Sequence, residues 1–423
     1  MAPRQRVVVV GAGFGGLNAT KALRSLDVET LLIERHNFHL FQPLLYQVAT
    51  GLLDPSQIAY PVRAAVRRAR NARVLMATVT AVELDEHLLR TTAGDVSYDV
   101  LVLATGSTSN YFGMHELEQR ATGLKTLGEA VHIRSTILAA LEQATRAADA
   151  ETRRRWLAFT VAGGGPTGVE MAGAIAELLR HVLPRDYPRL ALEDASVTLL
   201  EARDQLLATF APRLGRIAVK TLRRKGVTLL LGREVRGVDE GAVVLHDGTR
   251  VDAATLIWTA GVQAAAPSGL DALIRGRSCR IPVTPSLTVP DHPEVFVIGD
   301  LAELPYRGEP LPMLAPVAIQ QGRHVAAVLT ARRRGDPEPP FRYVDKGNMA
   351  TIGRGAAVAQ LGPVHVDGFT GWLMWLALHL VYIAGFRNRA VVIISWAWNF
   401  FFFDRSVRLI LEPERNSRGK EET

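Results

Sequence analysis

Two short glycine-rich stretches have the residue types and the spacing needed to hold a dinucleotide. VVVVGAGFGG and VAGGGPTGVE each match the pattern GxGxxG, with glycines at Gly11, Gly13, Gly16, Gly163, Gly165 and Gly168. In such a turn the first glycine permits a sharp bend, the second lets backbone approach a pyrophosphate, and the third allows close helix packing. The N-terminus of the helix that follows faces the anion. The pattern predicts two dinucleotide sites, and glycine-rich turns without a ligand are the alternative.

An acidic residue stands where each predicted site needs an acceptor for ribose hydroxyls. Glu34 follows Gly16 by 18 residues, and Glu201 follows Gly168 by 33. The longer second interval requires an insertion, and the two prolines of HVLPRDYPRL predict a helix end and a loop there. A carboxylate at Glu201 would repel a 2′-phosphate and so favours NADH over NADPH, while Arg203 nearby leaves NADPH open.

The elements that must position these turns follow from the periodicity of the apolar residues. A strand at residues 6–10, a helix at 15–25 and a strand at 29–34 form one βαβ unit, and the same order returns at 158–201. Further strands end in ATGS, WTAGV and VIGD, and helices are expected at 129–148 and 316–332. Prolines predict a loop at 336–340, before a strand-rich stretch at 341–366. This alternation predicts an α/β fold with two Rossmann-like dinucleotide-binding domains.

Composition narrows the class of protein further. The chain has 423 residues, of which 48% are hydrophobic and 22% charged, which is ordinary globular composition for two or three domains. The net charge of +7 suits nucleic acid, an anionic membrane or an anionic cofactor. The arginine clusters are most simply solvated helix faces, and no nucleic-acid motif accompanies them, so we expect no nucleic-acid partner. Only five residues precede the first strand, so we expect the body of the protein to stay in the cytoplasm.

The single cysteine, Cys279, limits the redox chemistry that is available. It excludes an intramolecular disulfide and a CxxC pair, so electron chemistry must come from a bound cofactor. The same absence argues against disulfide reductases and against a sulfide:quinone reductase. The sequence contains neither HExxH nor a cysteine–histidine cluster, and we expect no metal.

These motifs together resemble a known family. The chain resembles two-dinucleotide-binding flavoproteins of the glutathione reductase fold, and more closely the type II NADH dehydrogenases, which are NADH:quinone oxidoreductases of respiratory membranes. The similarity covers nearly the whole chain. It rests on GAGFGG, IERHNFHLFQPLLYQVATG, ATGS, GGGPTGVE, WTAGV, VIGD, DKGNMATIGR and an aromatic tail.

The resemblance implies which cofactor each turn holds. FAD would lie at the first turn, with Glu34 on its adenosine ribose, and the other residues implied on the FAD side are Thr105, Gly106, Gly299, Asp300 and Ala315. The substrate NADH would lie at the second turn, with Glu201 and Gly261. The implied domains are residues 1–120 and 276–368 for the two parts of the FAD-binding domain, 121–275 for the NADH-binding domain, and 369–423 for C-terminal membrane-associating helices.

The resemblance also implies residues near the reacting groups. Glu170 and Gln320 would be catalytic, and Gln320, Gln321 and His379 would contact quinone. Pro316 stands where the family usually has a glutamine. Each residue has a plainer interpretation: Glu170 in the first helical turn suits the helix dipole whatever its function, and the two glutamines could be a solvated helix face. His39 and His379 are candidates for proton supply because an unperturbed histidine titrates near working pH, although ordinary packed histidines are the alternative.

The C-terminal part of the chain has a distinct composition. Residues 369–403 hold 11 of the 28 Phe, Trp and Tyr residues, and their only formal charges are Arg387 and Arg389. The apolar segments 371–386 and 390–403, joined by FRNR, are 16 and 14 residues long, shorter than the roughly 20 needed to span a bilayer. We expect an amphipathic helical membrane anchor that lies in the interface, with Arg387, Arg389, Arg405 and Arg408 on anionic lipid. A homodimer interface is compatible with the anchor, and a transmembrane hairpin is a third possibility.

The predicted function combines these features. We expect a peripheral, monotopic enzyme on the cytoplasmic side of the cell membrane that transfers a hydride from NADH to FAD. Two electrons then go to a membrane quinone, ubiquinone or menaquinone, without proton pumping. The alternatives are an NAD(P)H-dependent reductase of a soluble electron carrier and a redox-sensing dinucleotide-binding protein with little turnover.

Overall fold

The computed structural model describes residues 4–274, 278–405 and 407–411 of the chain. The end of the predicted 369–423 segment and the predicted boundary at 275/276 therefore lie outside the described residues. The helices are α1 (Phe14–Leu23), α2 (Leu45–Ala49), α3 (Pro55–Ile58), α4 (Val62–Val66), α5 (His115–Arg120), α6 (Leu127–Arg146), α7 (Ala150–Trp156), α8 (Pro166–Glu177), α9 (Leu183–Asp186), α10 (Pro212–Arg224), α11 (Ala315–Arg334), α12 (Gly368–Tyr382) and α13 (Phe386–Phe402).

The strands are short, and most of them flank a helix or a turn. They are β1 (Arg6–Val10), β2 (Glu29–Glu34), β3 (Phe38–Leu40), β4 (Ala59–Pro61), β5 (Ala72–Met76), β6 (Val79–Glu83), β7 (Leu88–Thr91), β8 (Val96–Ser97), β9 (Val100–Leu103), β10 (Ser107–Ser109), β11 (Thr122–Gly123), β12 (Ala158–Ala162), β13 (Ser196–Glu201), β14 (Val227–Leu231), β15 (Val235–Asp239), β16 (Ala242–Leu245), β17 (Arg250–Asp252), β18 (Thr255–Trp258), β19 (Val262–Ala264), β20 (Ile281–Pro282), β21 (Thr288–Val289), β22 (His292–Val297), β23 (Ala302–Glu303), β24 (Pro305–Tyr306), β25 (Glu309–Pro310), β26 (Asn348–Thr351), β27 (Ala357–Leu361) and β28 (Val364–Asp367).

Backbone contacts divide the chain into two compact units. Unit 1 comprises Met1–Leu40, Ala59–Thr108 and Val262–Lys346, and unit 2 comprises Phe41–Ile58, Ser109–Gly261 and Gly347–Thr423. Each unit contains one of the two predicted glycine turns. The domain boundaries inferred from the resemblance stay a prediction.

Unit 1 is built on a six-stranded sheet in the order β21-β22-β9-β1-β2-β5. All neighbours in it pair in parallel except β21, which is antiparallel to β22. The valines of β1 are buried, as expected for the central strand of a parallel sheet covered on both faces. Helices α1 and α11 pack closely because both carry glycine at the contact: a Cβ on Gly322 would lie 2.3 Å from the carbonyl oxygen of Gly15.

Unit 2 contains a second parallel sheet, in the order β11-β18-β12-β13-β14. The antiparallel sheet β26-β27-β28 packs against α8, since a Cβ on Gly173 would lie 2.8 Å from the carbonyl oxygen of Ile352. The expected α/β fold with two Rossmann-type sheets is confirmed. In the stretch predicted to be strand-rich from residue 341, the first strand begins only at Asn348, because the backbone N–H and C=O of Val344 bond to a side chain of α11.

The C-terminal helices pack onto unit 2. Trp375 of α12 is 1% exposed and Trp396 of α13 is 8% exposed. The expected connection FRNR is wrong: these residues form the first turn of α13, and the chain reverses at Gly385, whose φ of +87° favours glycine. The Arg389 guanidinium donates to the carbonyl oxygens of Val381 and Ile383, both at 2.8 Å, near the end of α12. In the part of the chain that the structure describes, no helix has both the length and the apolar character required to cross a bilayer.

Candidate functional site

The first glycine turn has the geometry that its sequence predicts. Gly11 has a φ of +99°, and a Cβ there would lie 2.4 Å from the carbonyl oxygen of Ala104. A Cβ on Gly16 would lie 1.9 Å from the carbonyl oxygen of Gly11, so a side chain would separate α1 from the turn. Space around Gly13 is open, and the N-terminus of α1 has no side-chain cap. An anion therefore has room to approach the N-terminus of α1.

The second glycine turn, in unit 2, repeats this arrangement. Gly163 has a φ of +110°, and a Cβ there would lie 2.6 Å from the backbone nitrogen of Ala260. A Cβ on Gly168 would lie 1.8 Å from the carbonyl oxygen of Gly163, while space around Gly165 is open. Both turns are thus packed tightly where the helix begins and open where a diphosphate would lie.

The carboxylate of a glutamate accepts hydrogen bonds from the backbone of the first turn. Glu34 accepts the N–H of Ala12 through Oε2 at 2.5 Å and the N–H of His36 through Oε1 at 3.2 Å. The Glu34 carboxylate therefore stands against the turn, where an acceptor for ribose hydroxyls is required.

A glutamate accepts backbone hydrogen bonds at the second turn in the same way. Glu201 accepts the N–H of Gly164 through Oε2 and the N–H of Arg203 through Oε1, the latter at 2.9 Å. On the other side of this turn, Gly261 packs against the ring of Phe112, where a Cβ would come within 2.8 Å. The roles of Glu34 and Glu201 on ribose stay predictions.

Several residues predicted on the FAD side do meet in unit 1. Thr105 and Gly106 follow β9, and Gly299 and Asp300 follow β22, the parallel neighbour of β9. The carboxyl ends of these strands lie side by side, so the hydroxyl of Ser107 donates to Asp300 Oδ2. Ala315 is the first residue of α11, whose N-terminus also has no side-chain cap.

Gln321 belongs with this group rather than with a solvated face. Its side chain is fully buried, and its Oε1 accepts the N–H of Gly299 at 2.6 Å. Within the described residues, the buried Gln321 Nε2 and the buried Thr105 Oγ1 have no hydrogen-bond partner. Buried polar atoms of this kind are rare unless a ligand or water satisfies them. The unit 1 residues therefore fit a polar cofactor.

Gln320, one residue earlier, has a different environment. Its Nε2 donates to the carbonyl oxygens of Val344 at 3.0 Å and Pro316 at 3.1 Å, and its Oε1 accepts the N–H of Val344 at 3.0 Å. The interpretation as a solvated face is therefore wrong for Gln321, whereas Gln320 is half-buried and bonds to backbone. Their predicted contacts with quinone stay predictions.

Glu170 is not in the first turn of its helix. Helix α8 begins at Pro166, with no acidic residue in its first turn, so the expected dipole role is wrong. The Glu170 side chain is buried, with the residue 8% exposed, and its Oε1 accepts the N–H of Thr351 at 3.2 Å. Burial raises its pKa to about 8, although the Thr351 N–H and the nearby Trp375 indole favour the charged form. Glu170 therefore holds a proton at neutral pH.

Sequence reasoning assigned no role to two polar residues of α2 that lie near Glu170. The Tyr46 hydroxyl accepts a hydrogen bond from Gln47 Nε2 at 2.8 Å, and Gln47 Oε1 accepts from the Trp396 indole at 2.7 Å. Burial raises the pKa of Tyr46 well above its usual range, and the charge of Glu170 adds to this shift. The signal was present in the sequence, because Tyr-Gln interrupts the otherwise apolar run LLYQVA.

The two histidine candidates are poor proton donors. His39 Nδ1 lies 2.8 Å from the carbonyl oxygen of Ala12, and His379 Nδ1 lies 2.7 Å from that of Trp375. Burial lowers the pKa of each to about 4. Both are neutral at working pH, so the premise that they titrate there is wrong. A quinone contact of His379 stays a prediction.

The arginines expected to face lipid do not all do so. Arg405 is 2% exposed, and Arg408 lies 2.5 Å from Asp186 in an ion pair. Arg389, as described, bonds to the end of α12. Arg387 is exposed. Among the described residues, no group of three or more His, Cys, Asp or Glu side chains could hold a metal ion.

Comparison with known proteins agrees with this geometry. Residues 5–322 match the family described as Pyridine nucleotide-disulphide oxidoreductase. The chain is 41% identical to the Type II NADH:quinone oxidoreductase Ndh of Mycobacterium tuberculosis, over 99% of this chain and 92% of that protein. It is also 41% identical to NdhA of the same organism, over 94% of this chain and 87% of that protein.

A solved structure matches the fold as well. NDH2 from Plasmodium falciparum in complex with NADH superposes with a TM-score of 0.88, covering 97% of this chain and all of that one, at 18% identity. The two Rossmann-type sheets and the two glycine turns bonded to glutamates are consistent with the relatives at 41% identity. The chain belongs to the type II NADH:quinone oxidoreductases, within the pyridine nucleotide-disulphide oxidoreductase family.

Proposed function

We propose that this protein is a peripheral membrane flavoenzyme that oxidises NADH through bound FAD and reduces a membrane quinone without pumping protons. One observation carries the proposal. The chain has two glycine turns with the same packing, and each donates a backbone hydrogen bond to a glutamate at the end of the following strand. Two dinucleotides suggest a relay from one to the other. Because the chain has a single cysteine, no dithiol pair can take the electrons, and they leave from FAD directly.

Unit 1 has the groups needed to hold FAD. Bound FAD supplies the acceptor for a hydride and the donor of two electrons. The amides at the N-terminus of α1 neutralise the diphosphate, and Glu34 accepts from the adenosine ribose. Gln321 Nε2 and Thr105 Oγ1, which have no partner among the described residues, would donate to polar atoms of the bound cofactor. The uncapped N-terminus of α11 would favour negative charge on a cofactor bound in front of it.

Unit 2 has the groups needed to hold NADH. The amides at the N-terminus of α8 face the diphosphate, since Gly165 leaves that approach open. Glu201 accepts from the adenosine ribose, and its negative charge disfavours a 2′-phosphate. Arg203 follows closely, and its side chain is the group best placed in sequence to moderate that preference.

Glu170 serves as the proton donor when quinone is reduced. The overall transfer of a hydride from NADH to quinone consumes one further proton. A buried acid with a pKa of about 8 is protonated at neutral pH, so Glu170 can supply that proton and take another from water before the next turnover. The N–H of Thr351 remains bonded to the carboxylate that is left after transfer. Replacing Glu170 with Gln keeps the shape and removes the transferable proton, so turnover with quinone should fall while binding of NADH is retained.

Exposed apolar side chains support the membrane part of the proposal. Phe386 is 87% exposed, Phe401 71%, Val381 66% and Ile394 64%, all on α12, α13 or the turn between them. Such a surface on one face of two helices suits the interfacial region of a bilayer on the cytoplasmic side. The same surface can also be shared with a second copy in a homodimer.

Point substitutions test the membrane association better than truncation. Removing the chain from residue 371 onward would also remove the buried Trp375 and Trp396, so unit 2 would lose part of its core. Changing Phe386 and Phe401 to Ser leaves that core intact. We expect the double variant to lose flotation with anionic vesicles and to lose activity with long-chain quinones but not with water-soluble ones. Unchanged flotation would contradict the proposed anchor, and the mass in detergent separately reports the homodimer.

Steady-state kinetics test the reaction itself. Oxidation of NADH should require added quinone under anaerobic conditions, and proteoliposomes should turn over without forming a pH gradient. A gradient would contradict the absence of pumping, and oxidation of NADH only with a soluble protein carrier would favour the alternative reductase.

A further inference from the structure

The segment that follows α13 places one arginine in the interior of unit 2. Arg405 is 2% exposed, and its Nη1 donates to the carbonyl oxygens of Thr50 and Ala174, both at 3.1 Å. Its Nη2 lies 3.6 Å from Glu177 Oε2. A buried guanidinium is costly unless it is paired. These contacts partner Nη1 and Nη2, while the buried Nε has no hydrogen-bond partner among the described residues.

The two carbonyl groups belong to the helices that carry Tyr46 and Glu170. Thr50 is four residues beyond Tyr46, and its N–H and hydroxyl both donate to the Tyr46 carbonyl oxygen, at 3.1 and 2.9 Å. Ala174 is four residues beyond Glu170, one turn further along α8. One guanidinium therefore bonds the C-terminal cap of α2 and the middle of α8, four residues beyond Tyr46 and Glu170 respectively.

Charge around Arg405 is balanced by groups on other elements. Glu177 of α8 also pairs with Lys225 Nζ at 2.6 Å and accepts the N–H of Arg354 at 2.6 Å. The carboxylate is thus shared between two cations, and Lys225 still pairs with it when Arg405 is changed. Substitution of Arg405 consequently leaves Glu177 paired and mainly breaks the bridge between the helices.

The backbone near Arg405 also bonds to the turn that follows α2. The N–H of Val407 donates to the carbonyl oxygen of Gly51 at 3.3 Å. Gly51 has a φ of +70°, and a Cβ there would lie 3.0 Å from the Val407 carbonyl oxygen. A side chain at residue 51 would strain the turn and press on the segment that carries Arg405, without changing any charge.

We propose that Arg405 is a positioning residue for the reaction: it fixes the spacing of α2 and α8 and so holds Glu170 in place for proton transfer. This proposal rests on the proposed role of Glu170. Lysine keeps the positive charge but lacks the planar fork that serves two carbonyl oxygens and a carboxylate at once. The conservative change Arg405→Lys should therefore misplace Glu170 without unpairing Glu177.

A double-mutant cycle in the full-length holoenzyme tests the proposal. Arg405→Lys should lower kcat with quinone by about tenfold to hundredfold, because a misplacement on the order of 1 Å costs up to that factor. KM for NADH should stay unchanged. If Arg405 acts through Glu170, the variant that combines Arg405→Lys with Glu170→Gln should be no slower than Glu170→Gln alone. The matched control is Arg153→Lys, which changes an ion pair with Asp194 elsewhere in unit 2.

Additive effects in the cycle would overturn the proposal, as would a lower melting temperature with an unchanged kcat. Wild-type kcat in Glu170→Gln would refute the role of Glu170 and with it the positioning by Arg405. Turnover of NADH with quinone in the wild-type protein tests the proposed function separately.

Hydrogen exchange tests the positioning without any turnover. The Thr351 amide, which bonds to Glu170, should lose protection in Arg405→Lys, whereas the amides of β12 should keep theirs. If Arg405→Lys does not fold, Gly51→Ala displaces the same segment and should give the same pattern. Full protection of Thr351 in the variant that folds would overturn the proposal.

Discussion

Replacing Glu170 with Gln should change how the stability of unit 2 depends on pH. Burial raises the pKa of Glu170 from 4.5 to about 8 in the folded protein. Between these two values the folded state keeps a proton that the unfolded state releases. The contribution of Glu170 to the free energy of unfolding is therefore most favourable below pH 4.5. It becomes less favourable as pH rises and levels off above pH 8.

The size of the effect follows from the shift. At 1.36 kcal/mol per unit of pKa, the penalty on wild-type stability is about 1 kcal/mol at pH 5, about 3 kcal/mol at pH 7 and about 4 kcal/mol at pH 8. Glutamine is neutral at every pH and carries no such penalty. The free energy of unfolding of Glu170→Gln minus that of the wild type should therefore increase by about 3 kcal/mol from pH 5 to pH 8. A constant offset from altered packing does not affect this slope.

Tryptophan fluorescence in urea is a suitable assay. The six tryptophans all fall in unit 2: Trp156, Trp258, Trp372, Trp375, Trp396 and Trp398. Their signal reports unfolding of that unit without a contribution from tryptophans of unit 1. Glu151→Gln, a change at an exposed glutamate of unit 2, controls for the loss of one carboxylate. A difference that stays flat from pH 5 to pH 8, or that decreases, would refute the burial of a protonated Glu170.

Three further outcomes follow from the site geometry. Gly16→Ala should abolish flavin retention, because its Cβ would lie 1.9 Å from the carbonyl oxygen of Gly11. Gly168→Ala should retain flavin and lose NADH binding, because its Cβ would lie 1.8 Å from the carbonyl oxygen of Gly163 and 2.8 Å from Thr259 Oγ1. Flavin absorbance and NADH titration separate the two variants, and equal effects would contradict the assignment. Gln321→Leu, which removes the bond to the Gly299 N–H, should lower flavin occupancy at least several-fold on dialysis, and full occupancy would argue against a cofactor contact. Glu201→Gln should raise KM for NADH and lower KM for NADPH; unchanged constants for both would contradict the ribose role.

The sequence predicted the features that depend on local backbone geometry. Glycines that must adopt positive φ or accept close backbone contact can be recognised by spacing alone, and Gly11 and Gly163 behave as predicted. The acids at the ends of β2 and β13 were also predictable, since parallel pairing places them beside the turns. The positions of both glycine turns and of both glutamates could therefore be predicted from the sequence.

Features that depend on tertiary packing could not be predicted from the sequence. Glu170 lies only two positions past the third glycine, so it was placed in the first helical turn, and nothing local shows that Thr351 and Trp375 bury it. Arg405 follows an apolar helix and was assigned to lipid, whereas it bonds to carbonyl groups more than 200 residues earlier in the chain. The residues that flank a charged residue in the sequence do not show which distant residues it will contact in the fold.

The visible spectrum of the detergent-purified protein under anaerobic conditions shows whether electrons pass from NADH through FAD to quinone. It is recorded before NADH, after NADH, and after a short-chain quinone is added. We expect a flavin spectrum that bleaches with NADH and recovers with quinone. Bleaching without recovery would contradict quinone as the acceptor, and a protein without a flavin spectrum would contradict the relay from NADH through FAD.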